Sequence, residues 1–219
     1  MNTRRTLLGG LVCGLTAAVL VSQTGCGIMT QLMWIAKGGP QVQAEYEGLE
    51  GKRVAVVCVA DSASYGTTTA ASMLARRVEA KLKTNVKEIT IVPQDEIEDW
   101  KDHNAWDEYD YREVGRGVNA DRVVAIDLAS FRLHEGQTMY KGRAEVTVSV
   151  YDMEAGGETV FRRNVPEIAF PESGGQHTTD TTEPQFRQIF IEVLSQRVAR
   201  YFFDYEFRNT VAQDAALLN

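Results

Sequence analysis

Arg53-Val-Ala-Val-Val-Cys-Val59 is an uninterrupted apolar run after a single arginine, and it decides the fold. Such a run is typical of a strand that is covered on both faces, as strands of parallel sheets are. A polar loop of small residues follows, and an apolar stripe with helical spacing then predicts a helix over residues 69–83. A second strand is predicted over residues 88–92. Because strand, helix and strand follow in close succession, we expect a βαβ unit with two parallel strands.

The rest of the patterned sequence predicts a mixed sheet. The segment 144–150 alternates strictly between apolar and polar residues, so one face of that strand should meet water. The remaining elements are predicted over residues 95–100 (helix), 109–118 (helix), 122–133 (strand), 159–170 (strand) and 183–205 (helix). The order β-α-β-α-β-β-β-α predicts an α/β fold whose mixed β-sheet carries its helices chiefly on one face.

The N-terminal residues have the pattern of an export signal. Arg4 and Arg5 precede an apolar run over residues 7–21, which is shorter than the roughly 20 residues that span a bilayer as a helix. The run closes with small residues before Cys26, and this ending resembles the lipobox of bacterial lipoproteins, although Gln23 stands where that pattern prefers leucine. The resemblance implies cleavage before Cys26 and a lipid on its thiol. The alternative is an uncleaved signal anchor with an incidental cysteine.

These observations predict the organisation of the chain and its location. Gly27 follows the lipidated residue in place of the aspartate that retains many lipoproteins at the inner membrane, and by that resemblance we expect an outer-membrane lipoprotein facing the periplasm. The paired arginines also resemble the twin-arginine export motif, so the export route stays open. The predicted segments are a signal peptide (1–25), a lipidated tether (26–48), an α/β interaction domain (49–207) and a weakly ordered tail (208–219).

The domain resembles a known superfamily of envelope proteins. The resemblance rests on Lys52-Arg-Val-Ala-Val-Val57, on the Ser/Thr-rich loop before the helix, and on Val118-Asn-Ala-Asp-Arg-Val-Val124, where Asn119 stands in place of the usual glycine. The superfamily includes the curli-secretion pore subunit, the lipoprotein activators of penicillin-binding proteins and the N-terminal domain of TolB. Pore formation needs long alternating membrane hairpins, and the sequence has none. What the resemblance implies is a tethered domain that binds another envelope protein.

Composition and motifs argue against several other functions. The net charge of −7 disfavours nucleic-acid binding, which needs a basic surface. Ser173, His177 and Asp180 have the residue types of a nucleophilic triad, but they share one glycine-containing loop instead of separate rigid elements. Cys58 lies in an apolar strand and is expected to be a buried small hydrophobe. The sequence therefore predicts a non-catalytic protein that binds no cofactor and no metal; it does not predict the oligomeric state.

An acidic and aromatic stretch over residues 95–111 is the candidate binding region. Its aromatic residues are predicted to contact the partner, because tryptophan and tyrosine are enriched at binding hot spots: Trp100, Trp106, Tyr109 and Tyr111. Its carboxylates do not follow the spacing of a calcium loop. The alternative function is the binding or hydrolysis of a small molecule or cell-wall fragment by this stretch. A deep pocket lined by Trp100, Trp106 and His103 would favour that alternative, whereas a flat exposed sheet face would favour protein binding.

Overall fold

The structure is a computed structural model that describes residues 41–61, 65–106 and 110–206. Among these residues the strands are β1 (Gln41–Val42), β2 (Arg53–Ala60), β3 (Thr90–Ile91), β4 (Arg122–Glu135), β5 (Met139–Asp152), β6 (Glu158–Phe170), β7 (Gln176–His177) and β8 (Tyr205–Glu206). The helices are α1 (Tyr65–Asn85), α2 (Gln94–His103), α3 (Tyr111–Gly117) and α4 (Glu183–Ala199). The segments predicted before residue 41 and after residue 207, with Cys26 among them, lie outside the described residues.

The chain divides into two compact units. In the described part of the chain, one unit contributes Gln41, Val42 and Glu206, and β1 pairs with β8 in a two-stranded sheet. The other unit runs over residues 43–205 and holds the main sheet. No helix in the described ranges has the length and hydropathy needed to cross a membrane.

The main sheet is mixed, and this confirms the predicted α/β class. Its strand order is β3-β2-β4-β5-β6, with β7 added to β5. β2 pairs in parallel with β3 and β4, whereas β4, β5 and β6 are antiparallel neighbours. β3 is shorter than the predicted second strand. Its pairing with β2 ends early because the side chain of Gln94 donates a hydrogen bond to the carbonyl of Val56, with Nε2 2.8 Å from the oxygen.

α1 and α4 cover one face of this sheet. Phe186 and Phe190 of α4 are fully buried against the apolar residues of β5, and the larger core cluster lies between these layers. Gly142 of β5 leaves the space that the ring of Phe190 fills. α4 ends at Ala199, before the predicted position, because the chain turns there and the carbonyl of Tyr201 accepts hydrogen bonds from the backbone of an earlier segment.

α2 and α3 cover the other face, so the expectation of helices chiefly on one face is true only of the two long helices. A second core cluster lies under α2 and α3 and includes Ala55, Val57 and Ile97. The physical reason is visible in β2, where successive residues point to opposite faces and are apolar on both. A strand of this kind needs cover on each side.

Residues 43–48, which were predicted to belong to the tether, pack on the main unit. The amide of Ala44 donates to Asp204 Oδ1 at 2.9 Å, and the Glu45 carboxylate lies 2.5 Å from the guanidinium of Arg163. The ring of Tyr46 lies 5.5 Å from that of Phe161, centroid to centroid. The compact unit therefore begins before Leu49, the start predicted from the sequence.

Candidate functional site

The candidate site is the outer side of α2 and the turn that follows it, which we call the α2 surface. α2 begins after Pro93 with Asp95 and Glu96 in its first turn, where negative charge is favourable near the helix N-terminus. Ile97 is fully buried in the second core cluster and fixes α2 on the sheet. The helix therefore presents its remaining residues at a rigid position.

Trp100 is half-buried and packs on α3. An added Cβ at Gly117 would overlap the indole of Trp100, so the glycine provides the space for the ring. The indole also belongs to the partly buried rim of the second core cluster. Part of the ring thus reaches the surface while the rest is held in place.

Trp106 is fixed by contacts from several directions. Its backbone amide donates to the carbonyl of Lys101 at 3.1 Å, and its indole Nε1 donates to the carbonyl of Asp110 at 3.2 Å. The ammonium of Lys101 lies 5.1 Å from the ring centroid, within the range of a cation–π interaction. The ring of Trp106 lies 6.1 Å from that of Tyr111. The indole is therefore half-buried and preorganised.

Tyr111 supports this surface from the interior. Its side chain is only 5% exposed, and its ring stacks on Tyr151 at 5.9 Å between centroids. Its hydroxyl donates a hydrogen bond to Asp127 Oδ1 on β4. Burial, and then the hydrogen bond and negative charge of Asp127, raise the pKa of Tyr111. The phenol therefore stays neutral and joins α3 to the sheet, while Trp100 and Trp106 reach the surface; Tyr109 lies outside the described residues.

The charges around α2 are only partly compensated. Asp95 pairs with Arg76, Glu96 with Arg53 and Glu98 with Lys101, at 3.1, 2.8 and 3.5 Å. Asp99 and Asp102 are exposed and have no ion-pair partner in the described part of the chain. The α2 surface thus combines two indoles with uncompensated negative charge.

The residue types of a catalytic triad do not form one. His177 lies on β7, and its backbone carbonyl accepts a bond from the amide of Asp180 at 3.0 Å. The Asp180 carboxylate accepts a bond from the neighbouring Thr179 hydroxyl at 3.0 Å. Within residues 171–182, all of which are described, no hydrogen bond joins the side chains of Ser173, His177 and Asp180. These residues belong to the loop that leads into α4.

Cys58 is half-buried at the edge of the larger core cluster. Burial, and to a smaller extent the charge of Asp127, raise the pKa of its thiol, so it is protonated at neutral pH. No group of three or more His, Cys, Asp or Glu residues suited to a metal ion occurs in the described ranges.

A shallow cavity of about 300 Å³ lies elsewhere on the main unit. Its lining includes Glu47, Lys87, Phe203 and Asp204, and no residue of the acidic and aromatic stretch. It is therefore not the pocket that the small-molecule alternative requires of Trp100, Trp106 and His103.

Sequence reasoning found the two exposed indoles but not the residues that hold them. Gly117, Lys101 and Asp127 were not singled out, because each acts through a contact with a residue from another turn or element. The only signal in the sequence was the Gly115-Arg-Gly117 pair, which has a packing role at Gly117.

Fold and site together define an α/β domain whose mixed sheet lies between a layer of long helices and a layer of short ones. No family model matches the chain, and no curated protein matches its sequence. Several solved structures are similar to it. The PelC dodecamer from Paraburkholderia phytofirmans is 13% identical with a TM-score of 0.46, and the match covers 74% of this chain and 97% of that one.

Bacterial lipoproteins are among these similar structures. Lipoprotein GNA1162 from Neisseria meningitidis is 12% identical over 67% of this chain and 97% of its own, with a TM-score of 0.44. The C-terminal domain of LpoB from Salmonella enterica is 13% identical over 55% of this chain and 82% of its own, with a TM-score of 0.37. Identities and TM-scores of this size do not assign the chain to a family.

Proposed function

We propose that this chain is a non-catalytic accessory protein of the cell envelope that binds another envelope protein through the α2 surface. The observation that carries the proposal is the presence of two half-buried, preorganised indoles, Trp100 and Trp106, on one short helix and its turn. Aromatic residues held rigidly at a surface lose little conformational entropy on binding. They are therefore suited to anchor a partner.

The charge of the α2 surface indicates the kind of partner. Asp99 and Asp102 extend beyond the indoles into solvent without a cationic neighbour among the described residues. Rim charges of one sign steer a partner of opposite sign and suppress others. The partner's contact region is accordingly basic at its rim and apolar at its centre.

The anchor is the second part of the proposal. Cleavage before Cys26 would leave a lipidated cysteine ahead of the compact unit, and the outer membrane facing the periplasm is the proposed location. The support comes from the short apolar run and the small residues that end it. Fatty-acid labelling of the wild type against Cys26→Ser tests this part: label in the wild type alone is expected, and equal label in both proteins contradicts it.

Capture of the partner tests the binding surface. The partner that co-purifies with the detergent-solubilised wild type from its native membrane is identified, and its affinity is then measured for variants. Trp106→Ala should lose about 2 kcal/mol of binding, or roughly thirtyfold in affinity. Phe203→Ala, which truncates a half-buried aromatic away from α2, is the matched control and should bind normally.

Thermal melts of each variant separate lost binding from lost folding. His103→Ala, His177→Ala and Ser173→Ala should also leave capture unchanged. If Trp106→Ala and Trp100→Ala fold and bind the partner like the wild type, the α2 surface is not the binding site. If a histidine or serine variant loses function while capture and melting are normal, the protein is an enzyme.

A further inference from the structure

β6 is the last strand of the main sheet, and its outer edge is open. β5 is the only strand that pairs with it in the described ranges. No backbone hydrogen bond joins residues 158–170 to a turn or loop of the described chain. Half of the amides and carbonyls of this 13-residue strand therefore have no backbone partner in the described part of the chain.

The register identifies which groups point outward. The carbonyl of Leu128 accepts a bond from the amide of Asp61 after β2, so the even residues of β4 up to Leu128 turn their backbone groups toward β2. The odd ones then bond β5, and the alternation continues across β5 to β6. It places Phe161, Arg163 and Val165 in the hydrogen-bonded positions against β5. Arg162 and Asn164 consequently direct their amides and carbonyls away from the sheet.

The open edge is short and bounded. The β5–β6 register shifts between Val150 and Tyr151 and again between Ala144 and Val146, so pairing is regular only over 161–165. Pro166 has no amide hydrogen and follows this segment directly. Bulges and proline are the devices that prevent a long edge from pairing without limit. What they leave is a place for one short strand.

The charge of this segment selects its occupant. Arg162 is exposed and has no carboxylate within 4.0 Å among the described residues, whereas Arg163 pairs with Glu45. A second copy of the chain paired antiparallel over 161–165 would bring Arg163 opposite Arg163, which is unfavourable. It would also offer Arg162 only the uncharged Asn164. A segment with a carboxylate at the position next to Arg162 satisfies both the backbone and the charge.

We propose that β6 accepts a short extended segment of a partner protein as an added strand over 161–165, with an acidic residue of that segment beside Arg162. The backbone bonds of Arg162 and Asn164 supply the pairing, and the guanidinium of Arg162 selects the acidic side chain. Val160, which is 43% exposed at the bulge, offers an apolar contact at one end. The site depends on β6 alone and does not require the α2 surface.

The test uses the full chain and two blocked nine-residue peptides of alternating valine and threonine, one with a central glutamate and one with a central lysine. Residue-resolved amide hydrogen exchange is measured with each. The glutamate peptide should slow exchange at Arg162 and Asn164 and leave Arg163 unchanged, because that amide is already bonded within the sheet. The lysine peptide should bind about threefold to tenfold more weakly, as expected of an exposed charge pair.

Three variants provide the controls. Asn164→Pro removes one outward amide without breaking the bonds to β5 and should abolish protection, whereas Asn164→Ala keeps the amide and should retain it. Arg162→Glu should reverse the preference between the peptides. Arg132→Glu, an equal change of charge at an exposed position on β4, should not.

Four results overturn the proposal: no protection by the glutamate peptide at millimolar concentration, equal protection in Asn164→Pro, no dependence on the peptide charge, or self-association that Asn164→Pro removes. The last would make a second copy the occupant. Trp100→Ala and Trp106→Ala should bind the peptide normally, so failure of the α2 surface and failure of this site are distinguishable.

Discussion

Removal of the Tyr111 hydroxyl should destabilise the main unit and loosen the support of the α2 surface. The hydroxyl donates to Asp127 from a side chain that is 5% exposed. A hydrogen bond to a charged group contributes about 1.5–3 kcal/mol, and the lower end applies here because Asp127 is half-buried and water can replace part of the bond. Tyr111→Phe should therefore lose about 1.5 kcal/mol of unfolding free energy. For a unit of this size the Tm should fall by about 3–6 °C.

A double-mutant cycle with Asp127→Asn assigns this loss to the pair. The cycle should show a coupling energy of about 1 kcal/mol in urea unfolding, since the two residues are in direct contact. Tyr111→Phe should also weaken partner capture less than Trp106→Ala, because it removes support and not an anchor. A fully stable Tyr111→Phe protein, or zero coupling, would refute the reasoning.

The same pair predicts a dependence on alkaline pH. The pKa of Tyr111 is raised in the folded state by burial and by Asp127, so folding keeps its proton bound. Its stabilising contribution is present below the ordinary tyrosine pKa of about 10 and is lost as the pH rises above it, because the unfolded state ionises first. Stability should fall with pH above about 10, and the fall should be shallower in Tyr111→Phe.

Other predictions concern single residues. Gly117→Ala should displace Trp100, shift its fluorescence to longer wavelength and cost about 1–3 kcal/mol of stability in urea unfolding. Glu154 has a pKa lowered by hydrogen bonds from Lys52 and a second cation, so its contribution exists above its ordinary pKa and disappears as the pH falls through the lowered value; the acid limb of a stability–pH curve should be shallower in Glu154→Gln. The Cys58 thiol should resist alkylation until the protein is denatured, and rapid labelling of the native protein would place it at the surface.

Local patterns in the sequence predicted the strands and long helices because each pattern reports burial directly. The apolar run at 53–59 gave a central strand, and the alternation in β5 gave a sheet with one wet face. The position of α2 and α3 on the second face was missed, although Ala55 and Val57 are apolar on that side and need cover. The pattern of β2 shows that both faces are buried and does not show which element buries each.

Features that depend on distant contacts were not predictable. Tyr46 joins the compact unit through the rings of Phe161 and Phe202, which lie more than a hundred residues along the chain. The same holds for the candidate site, where composition indicated the tryptophans, whereas the packing of Trp100 on Gly117 depends on how two helices cross. The open edge of β6 follows from strand order, which local periodicity does not determine.

The most direct test of the central claim is site-specific photo-cross-linking in the native cell. A photo-reactive amino acid in place of Asp102 lies on the α2 surface and leaves both tryptophans intact, and the same group in place of the exposed Thr84 on α1 is the control. The account predicts one cross-linked envelope protein from position 102 and none from position 84, with the product lost in Trp106→Ala. Equal products from both positions, or no product from position 102 while the protein still captures its partner, would contradict it.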